Sequence, residues 1–202
     1  MKKIYIILCF ISCTIFLFGY QSRAAANKTF GNTTYFTSCP YIAEKVTLVN
    51  GHRVAWNFRL HVSMHYEGHY VYGDFNYDGL KDAAVIIGES QGGSDDGILL
   101  AFLIHSGTEL VHKKSAYLGG SAIINSLKER DGKVIVDMFV HQDGDCMAGP
   151  TRHVKSIFEY GNGDEIEEKQ ISAKSLFDPA LLVLKDYSSW AYVLERWQAG
   201  LK

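Results

Sequence analysis

Two short uninterrupted apolar runs, "AAVII" (Ala83 to Ile87) and "ILLAFLI" (Ile98 to Ile104), constrain this chain more than any other feature. Acidic and Gly-rich segments bound them: "GDFNYDGLKD" before the first and "SQGGSDDG" between the two. Runs this short with such flanks read as strands. Successive strand residues point to opposite faces, so a run with no polar position is a strand buried on both sides.

The neighbouring segments alternate instead. Val46 and Leu48 lead to Asn50-Gly51, the strongest short-range hairpin signal, and Val54, Trp56 and Phe58 continue beyond it. Ile123, Asn125 and Leu127 are followed by Asp131-Gly132 and then by Val134, Val136 and Met138. "TRHVKSIFEY" reads as a last strand before Gly161-Asn162-Gly163. The connections are too short for crossover helices, which excludes a doubly wound α/β fold. The expected fold is mainly β: an antiparallel meander forming an open sheet or sandwich, with a C-terminal α-helix. That helix is read from Trp190, Val193, Leu194 and Trp197 at helical spacing, with Asp186 or Ser188 as cap and Gly200 at its end. It is expected to pack on the sheet.

The N-terminus reads as a secretory signal peptide. Lys2 and Lys3 precede the apolar stretch Ile4 to Phe18, and Ala24 and Ala26 match a small-x-small cleavage pattern. The stretch is short for a membrane span, and an uncleaved anchor is the competing reading. Residues 1–26 are thus assigned to the signal, 27–44 to an extended polar lead-in, 45–163 to a β-rich domain and 164–202 to the C-terminal helical segment. The expected location is periplasmic or extracellular, with no membrane association after cleavage. The signal holds three basic residues and no acid, so the 20 basic and 22 acidic side chains of the chain become 17 and 22, a net charge of −5. No Lys/Arg cluster of a nucleic-acid surface is present. Cys39 and Cys146 remain after cleavage, 107 positions apart. They form either one disulfide, worth about 4–5 kcal/mol at most by chain entropy, or two separately buried thiols.

The candidate site is the first acidic loop. Counted from Asp74, Asp74, Asn76 and Asp78 fall at positions 1, 3 and 5, Gly79 at 6, Leu80 at 7 and Asp82 at 9. Calcium takes six to eight hard oxygens, and alternate residues of a tight turn can converge on one ion. Gly79 supplies the sharp turn, Leu80 its carbonyl, and Asp82 closes the set. An EF-hand is excluded: its twelfth position is a bidentate Glu, whereas Val85 stands here, inside a strand. The competing reading is an ion-free turn built on Asx hydrogen bonds. Against it stands the crowding of three carboxylates with only Lys81 nearby, a cost that a cation relieves.

"GDFNYDGLKDAAVII" resembles the FG-GAP/VCBS-type repeat of β-propellers, in which such a loop binds calcium. One copy is present, and a propeller needs several. From about Tyr72 to Tyr160 the chain also resembles a family of small bacterial exported proteins and lipoproteins of uncharacterised function. The shared blocks are the GD-x-N-x-DG-x-x-DAAV loop and strand, then Gly92-Gly93-Ser94, then Asp131-Gly132-Lys133 through Val136-Asp137-Met138. Gly144-Asp145-Cys146-Met147 with Pro150-Thr151 completes them. Ala148 and Gly149 stand where relatives often carry a Cys pair, so no role of that pair is inherited. The resemblance implies export and a β-rich domain, and implies no activity.

Other chemistry-bearing residues are weaker candidates. His61, His65 and His69, with Glu67, share one strand face, but positions four apart on a strand lie about 13 Å apart. One zinc would therefore need a helix or a bend at Gly68. His105, His112, His141 and His153 are scattered, and Ser121 and Ser126 lack a nucleophile elbow. Asp143 and Asp145 read as turn residues. The expected function is a non-enzymatic exported module, stabilised by calcium through Asp74, Asn76, Asp78, Leu80 and Asp82. The alternatives are a secreted hydrolase with a loop-built site and a surface protein that uses exposed aromatics to bind a protein or glycan.

Overall fold

The computed structural model describes residues 25, 28–38, 45–56, 61–90, 96–145, 149–161 and 163–175, and the side chains of these except at 55–56, 61–65 and 173–175. The signal segment apart from Ala25, together with Cys39, Cys146 and the expected C-terminal helix, lies outside the described residues.

The two apolar runs form adjacent strands at the centre of a five-stranded antiparallel sheet. Its strands, in both chain and spatial order, are β3 (His52–Trp56), β4 (His61–Gly73), β5 (Asp82–Ser90), β6 (Gly97–His105) and β7 (Leu110–Gly120). The chain then enters a second antiparallel sheet of β8 (Ile123–Arg130), β9 (Lys133–Val140), β10 (Arg152–Gly161) and β11 (Glu165–Ser175), again paired in chain order. The two sheets share one core. Phe75, Ala84, Ile86, Leu100 and Phe102 of the first meet Val134, Val136, Met138, Val154 and Phe158 of the second. This is a sandwich of two meanders.

The opposite face of the central sheet is buried as well. Two short strands ahead of β3, namely β1 (Thr34–Phe36) and β2 (Lys45–Thr47), pair with each other and lie over it. Phe30, Tyr35, Val46 and Leu48 pack there on Ala83, Val85, Ile87, Leu99, Ala101 and Leu103. Three layers therefore explain the sequence of β5 and β6: both are buried along almost their whole length because each has cover on both faces. The ring of Phe30 lies 5.3–5.9 Å from those of Tyr66, Tyr70 and Tyr72, an aromatic contact that adds to the area it buries.

Three expectations change. Within the polar segment expected as an extended lead-in, residues 28–38 contribute to a packed layer: Phe30 and Tyr35 are fully buried. Asn50 and Gly51 make the expected turn, with φ of 54° and 87°, but it is closed by a single bridge between Val49 and His52. β2 turns back to β1, and β3 pairs with β4, so this turn carries the chain from one layer to the next. The β-rich region also continues past Gly163. β11 pairs with β10 over its full length and forms the sheet edge. Among the described residues, no helix is long and apolar enough to cross a membrane.

Candidate functional site

The acidic loop joins β4 to β5, neighbouring antiparallel strands of the central sheet. β4 ends at Gly73, where a Cβ would lie 2.7 Å from the Phe75 ring and 2.8 Å from Glu129 Cγ. Only glycine allows this approach. Phe75 then turns inward and is fully buried against Phe102, edge to face at 5.3 Å between ring centroids. The loop is thus anchored in the main core one residue after it begins.

Its exposed half is organised by carboxylates. Asp74 accepts hydrogen bonds from the amides of Asp78 (3.0 Å, Oδ1) and Gly79 (3.0 Å, Oδ2). Asn76 Oδ1 accepts from the Asp78 amide at 3.2 Å, and Asn76 Nδ2 donates to Asp78 Oδ2 at 2.8 Å. The Leu80 amide donates to Asp78 Oδ1 at 2.7 Å. These last contacts, from the Asn76 amide first and the Leu80 N–H second, hold the Asp78 carboxyl below its ordinary range. Gly79 has φ of +82°, the turn its position required. Tyr77 also sits in the left-handed region, at φ +59°. Its ring lies against Gly132 and its hydroxyl donates to the Asp131 carbonyl at 3.2 Å, which ties the loop to the β8–β9 turn.

Asp82 behaves differently. It is fully buried, and its two oxygens accept from the amides of Phe75 and His105, each at 2.8 Å. One carboxylate thus joins the start of the loop, its end and the last residue of β6. The five predicted residues divide accordingly. Asp74, Asn76 and Asp78 are brought together on the exposed side, while Asp82 faces the interior as a brace. Leu80 contributes its amide to Asp78, and its side chain is 40% exposed rather than packed. Among the described residues no group of three His, Cys, Asp or Glu side chains is arranged to hold a metal ion. Lys81, the one basic residue of the loop, places its ammonium over the Tyr72 ring, 4.2 Å from the centroid.

The donor chemistry of the loop fits calcium. All its side-chain donors are oxygens, and each carboxylate oxygen that accepts one N–H keeps a second lone pair. The arrangement closes on its own hydrogen bonds through Asn76 and the three amides.

The remaining candidates resolve into structural roles. Asp145 accepts from the amides of Gln142 and Thr151, each at 3.0 Å, and from the Thr151 hydroxyl. Burial pushes its carboxyl up, but these bonds and nearby His141 more than offset that and leave it lowered. It closes a turn, as expected. His153 Nε2 lies 2.8 Å from Asp137 Oδ1, and Asn125 and Lys155 also contact that carboxylate. This network sits on the outward surface of the second sheet. Gly68, at φ +81°, makes the bend that the His61, His65 and His69 reading required. It lies inside β4, and the side chains of His61 and His65 lie outside the described residues.

Two buried polar side chains that hold the layers together had no linear signal. Glu89 is buried at the end of β5 and accepts from the Thr37 hydroxyl (2.7 Å) and the Ser38 amide (2.9 Å). His112 is buried in β7: its Nδ1 accepts from the Phe36 amide at 2.9 Å, and its Nε2 lies 2.9 Å from Ser115 Oγ. An accepting Nδ1 places the ring proton on Nε2, so this is a neutral imidazole. Burial pushes its pKa down to about 4. These two side chains fasten the N-terminal layer to the central sheet. Their partners in that layer are 51 to 76 positions away, beyond the reach of any local motif.

Fold and site together define a three-layer antiparallel β-sandwich with one carboxylate-organised loop. The chain matches no protein-family model, no curated protein and no solved structure.

Proposed function

We propose that this protein is an exported, non-enzymatic β-sandwich module of the periplasm or cell exterior whose acidic loop takes one calcium ion. The observation that carries the reading is the gathering of Asp74, Asn76 and Asp78 on the exposed side of a loop whose inner end Asp82 already fixes. Asp74, Asn76, Asp78 and the Leu80 carbonyl are the proposed donors, while Asp82, expected among them from the sequence, braces the loop from inside. The ion supplies charge neutralisation and a cross-link among oxygens that otherwise repel. The chain supplies the rest. Phe75 anchors the loop entrance, Asp82 ties it to β6, and Tyr77 docks it on the turn at Asp131 and Gly132.

A calcium titration followed by amide NMR shifts tests the reading. Saturable shifts are expected at Asp74 to Leu80, and they are expected to vanish in Asp78→Ala. An absence of saturable shifts in the wild-type loop at millimolar calcium rejects the calcium assignment and leaves the fold untouched.

A further inference from the structure

The two main sheets present four faces, and described residues cover three of them. The fourth is the outer face of the second sheet. Along β9 and β10 its half-buried positions alternate with those of the core. Ladder pairing arranges them in rows. Phe139 lies between Ile123 and His153 in one row, and Ile135 lies beside Ile157 in another. Phe139 and Ile135 are four positions apart on one strand, hence about 13 Å apart on the same face. Ile123, at the edge, is 40% exposed. The row between is polar but already satisfied, because Asn125, His153 and Lys155 all contact the Asp137 carboxylate. A cover laid over this face therefore leaves that carboxylate paired.

The chain itself supplies a cover of matching character. β11 ends at Ser175, which pairs with Arg152 one step beyond the row of Phe139 and His153. Residues 176–202 follow, 27 in all. Thirteen of them are Leu, Val, Phe, Tyr or Trp, and they include two of the three Trp of the chain. So apolar a segment needs burial, and the bare face begins where the segment leaves the sheet. Trp190, Val193, Leu194 and Trp197 recur at the spacing of one helical stripe. Seven positions of helix separate Trp190 from Trp197 by about 10 Å, close to the separation of Phe139 from the Ile135 and Ile157 pair. The outer surface of β1 and β2 is a poorer seat: it is two strands wide and presents Thr34, Lys45 and Thr47 beside Phe36.

We infer that the outer face of the second sheet is the docking surface of the chain's own C-terminal segment. Residues 176–202 fold back over it, with the stripe from Trp190 to Trp197 seated on Phe139, Ile135 and Ile157. The segment thereby adds a fourth layer to the sandwich. Tethering selects this occupant over a free partner: a segment joined at Ser175 acts at an effective concentration on the order of millimolar. This inference does not rest on calcium binding by the acidic loop.

The test records nuclear Overhauser contacts of isoleucine methyl groups in the purified protein. Contacts are expected from the methyls of Ile135 and Ile157 to the indoles of Trp190 and Trp197. In a mixture of labelled and unlabelled chains, the same contacts are expected to be absent between chains. Amide hydrogen exchange supplies a second arm: residues 190–197 are expected to be protected, and to exchange at least about tenfold faster in Ile157→Lys. Ile157 points away from the core, so this substitution spares the sandwich, and the methyl contacts need no variant at all. An absence of contacts to these methyls, or an exchange rate unchanged in Ile157→Lys, overturns the inference. Contacts found only between chains also overturn it and make a second copy the occupant.

Discussion

Asp82 and Asp78 sit four positions apart in one loop and do opposite work. Asp82 has no access to water and satisfies two backbone amides. Asn in its place turns one acceptor into an N–H donor facing another N–H, leaving a buried donor unsatisfied. Asp82→Asn is therefore expected to cost about 1–3 kcal/mol in urea unfolding, and to do so in chelator as well as in calcium. Asp78→Ala, at an exposed position, is expected to change stability little in chelator and to differ from wild type only when calcium is present. The sequence presented both as aspartates of one motif. What separates them is Phe75, whose burial swings the loop entrance onto Asp82, and that depends on packing rather than spacing.

His112 gives the residue scale a pH signature. In the unfolded chain its imidazole titrates near 6.5, whereas in the fold burial lowers the pKa to about 4. Between those values the unfolded chain binds the proton and the fold does not. The contribution of His112 is therefore complete above pH 6.5 and is lost as pH falls towards 4, amounting to about 3 kcal/mol. Denaturant midpoints measured from pH 7 to 4 are expected to fall in the wild type, and to fall less in His112→Gln. The carboxyls of Asp78, Asp137 and Asp145 are lowered in the same sense as His112, so they too lose stability as pH falls, but through a lower window. Their contribution is present above about 3.8 and lost below it, so they do not obscure the histidine window.

At the scale of elements, two loops support each other. Gly132 has φ of +71°, and a Cβ there would lie 2.8 Å from the Tyr77 ring. Gly132→Ala is expected to cost about 1–3 kcal/mol through backbone strain and the displaced ring. A double-mutant cycle with Tyr77→Ala is expected to return part of that cost, because the clash disappears while the strain remains. Full additivity would mean that the two turns are independent.

The elements that could be read from sequence share a physical reason. β5 and β6 were legible because burial on both faces writes itself as an unbroken apolar run. The turns at Asn50-Gly51 and Asp131-Gly132 were legible because few residues tolerate positive φ. β11 was missed: "EIEEKQISAKS" carries charges with little alternation, as an edge strand does when one neighbour and solvent flank it. The bulges were also missed. Ile123, Asn125 and Leu127 were expected on one face, but the extra residue at Asn125 rotates the strand so that Ile124 and Leu127 face the core. A bulge is a property of two strands in register, and one strand's sequence does not contain it.

At the scale of the whole molecule, the three layers share one set of strands. The N-terminal pair covers one face of β5 and β6, and the second sheet covers the other. The acidic loop leads directly into β5, and Asp82, its last residue, opens that strand. Ordering the loop therefore acts on the strand that both cores depend on, which is why a local ion should register in global unfolding. The polar composition of residues 27–44 concealed the N-terminal layer, because four buried side chains are enough to form it once Glu89 and His112 supply the fastening.

Thermal unfolding of the purified protein, in calcium and in chelator, tests the central claim most directly. An ion bound only by the folded state contributes about 2.7 kcal/mol at a hundredfold excess over its Kd, which for a chain of this length raises Tm by roughly 5–10 °C. That rise is expected in the wild type and is expected to be absent in Asp78→Ala. An unchanged wild-type Tm, or an equal rise in Asp78→Ala, would contradict calcium binding by the loop.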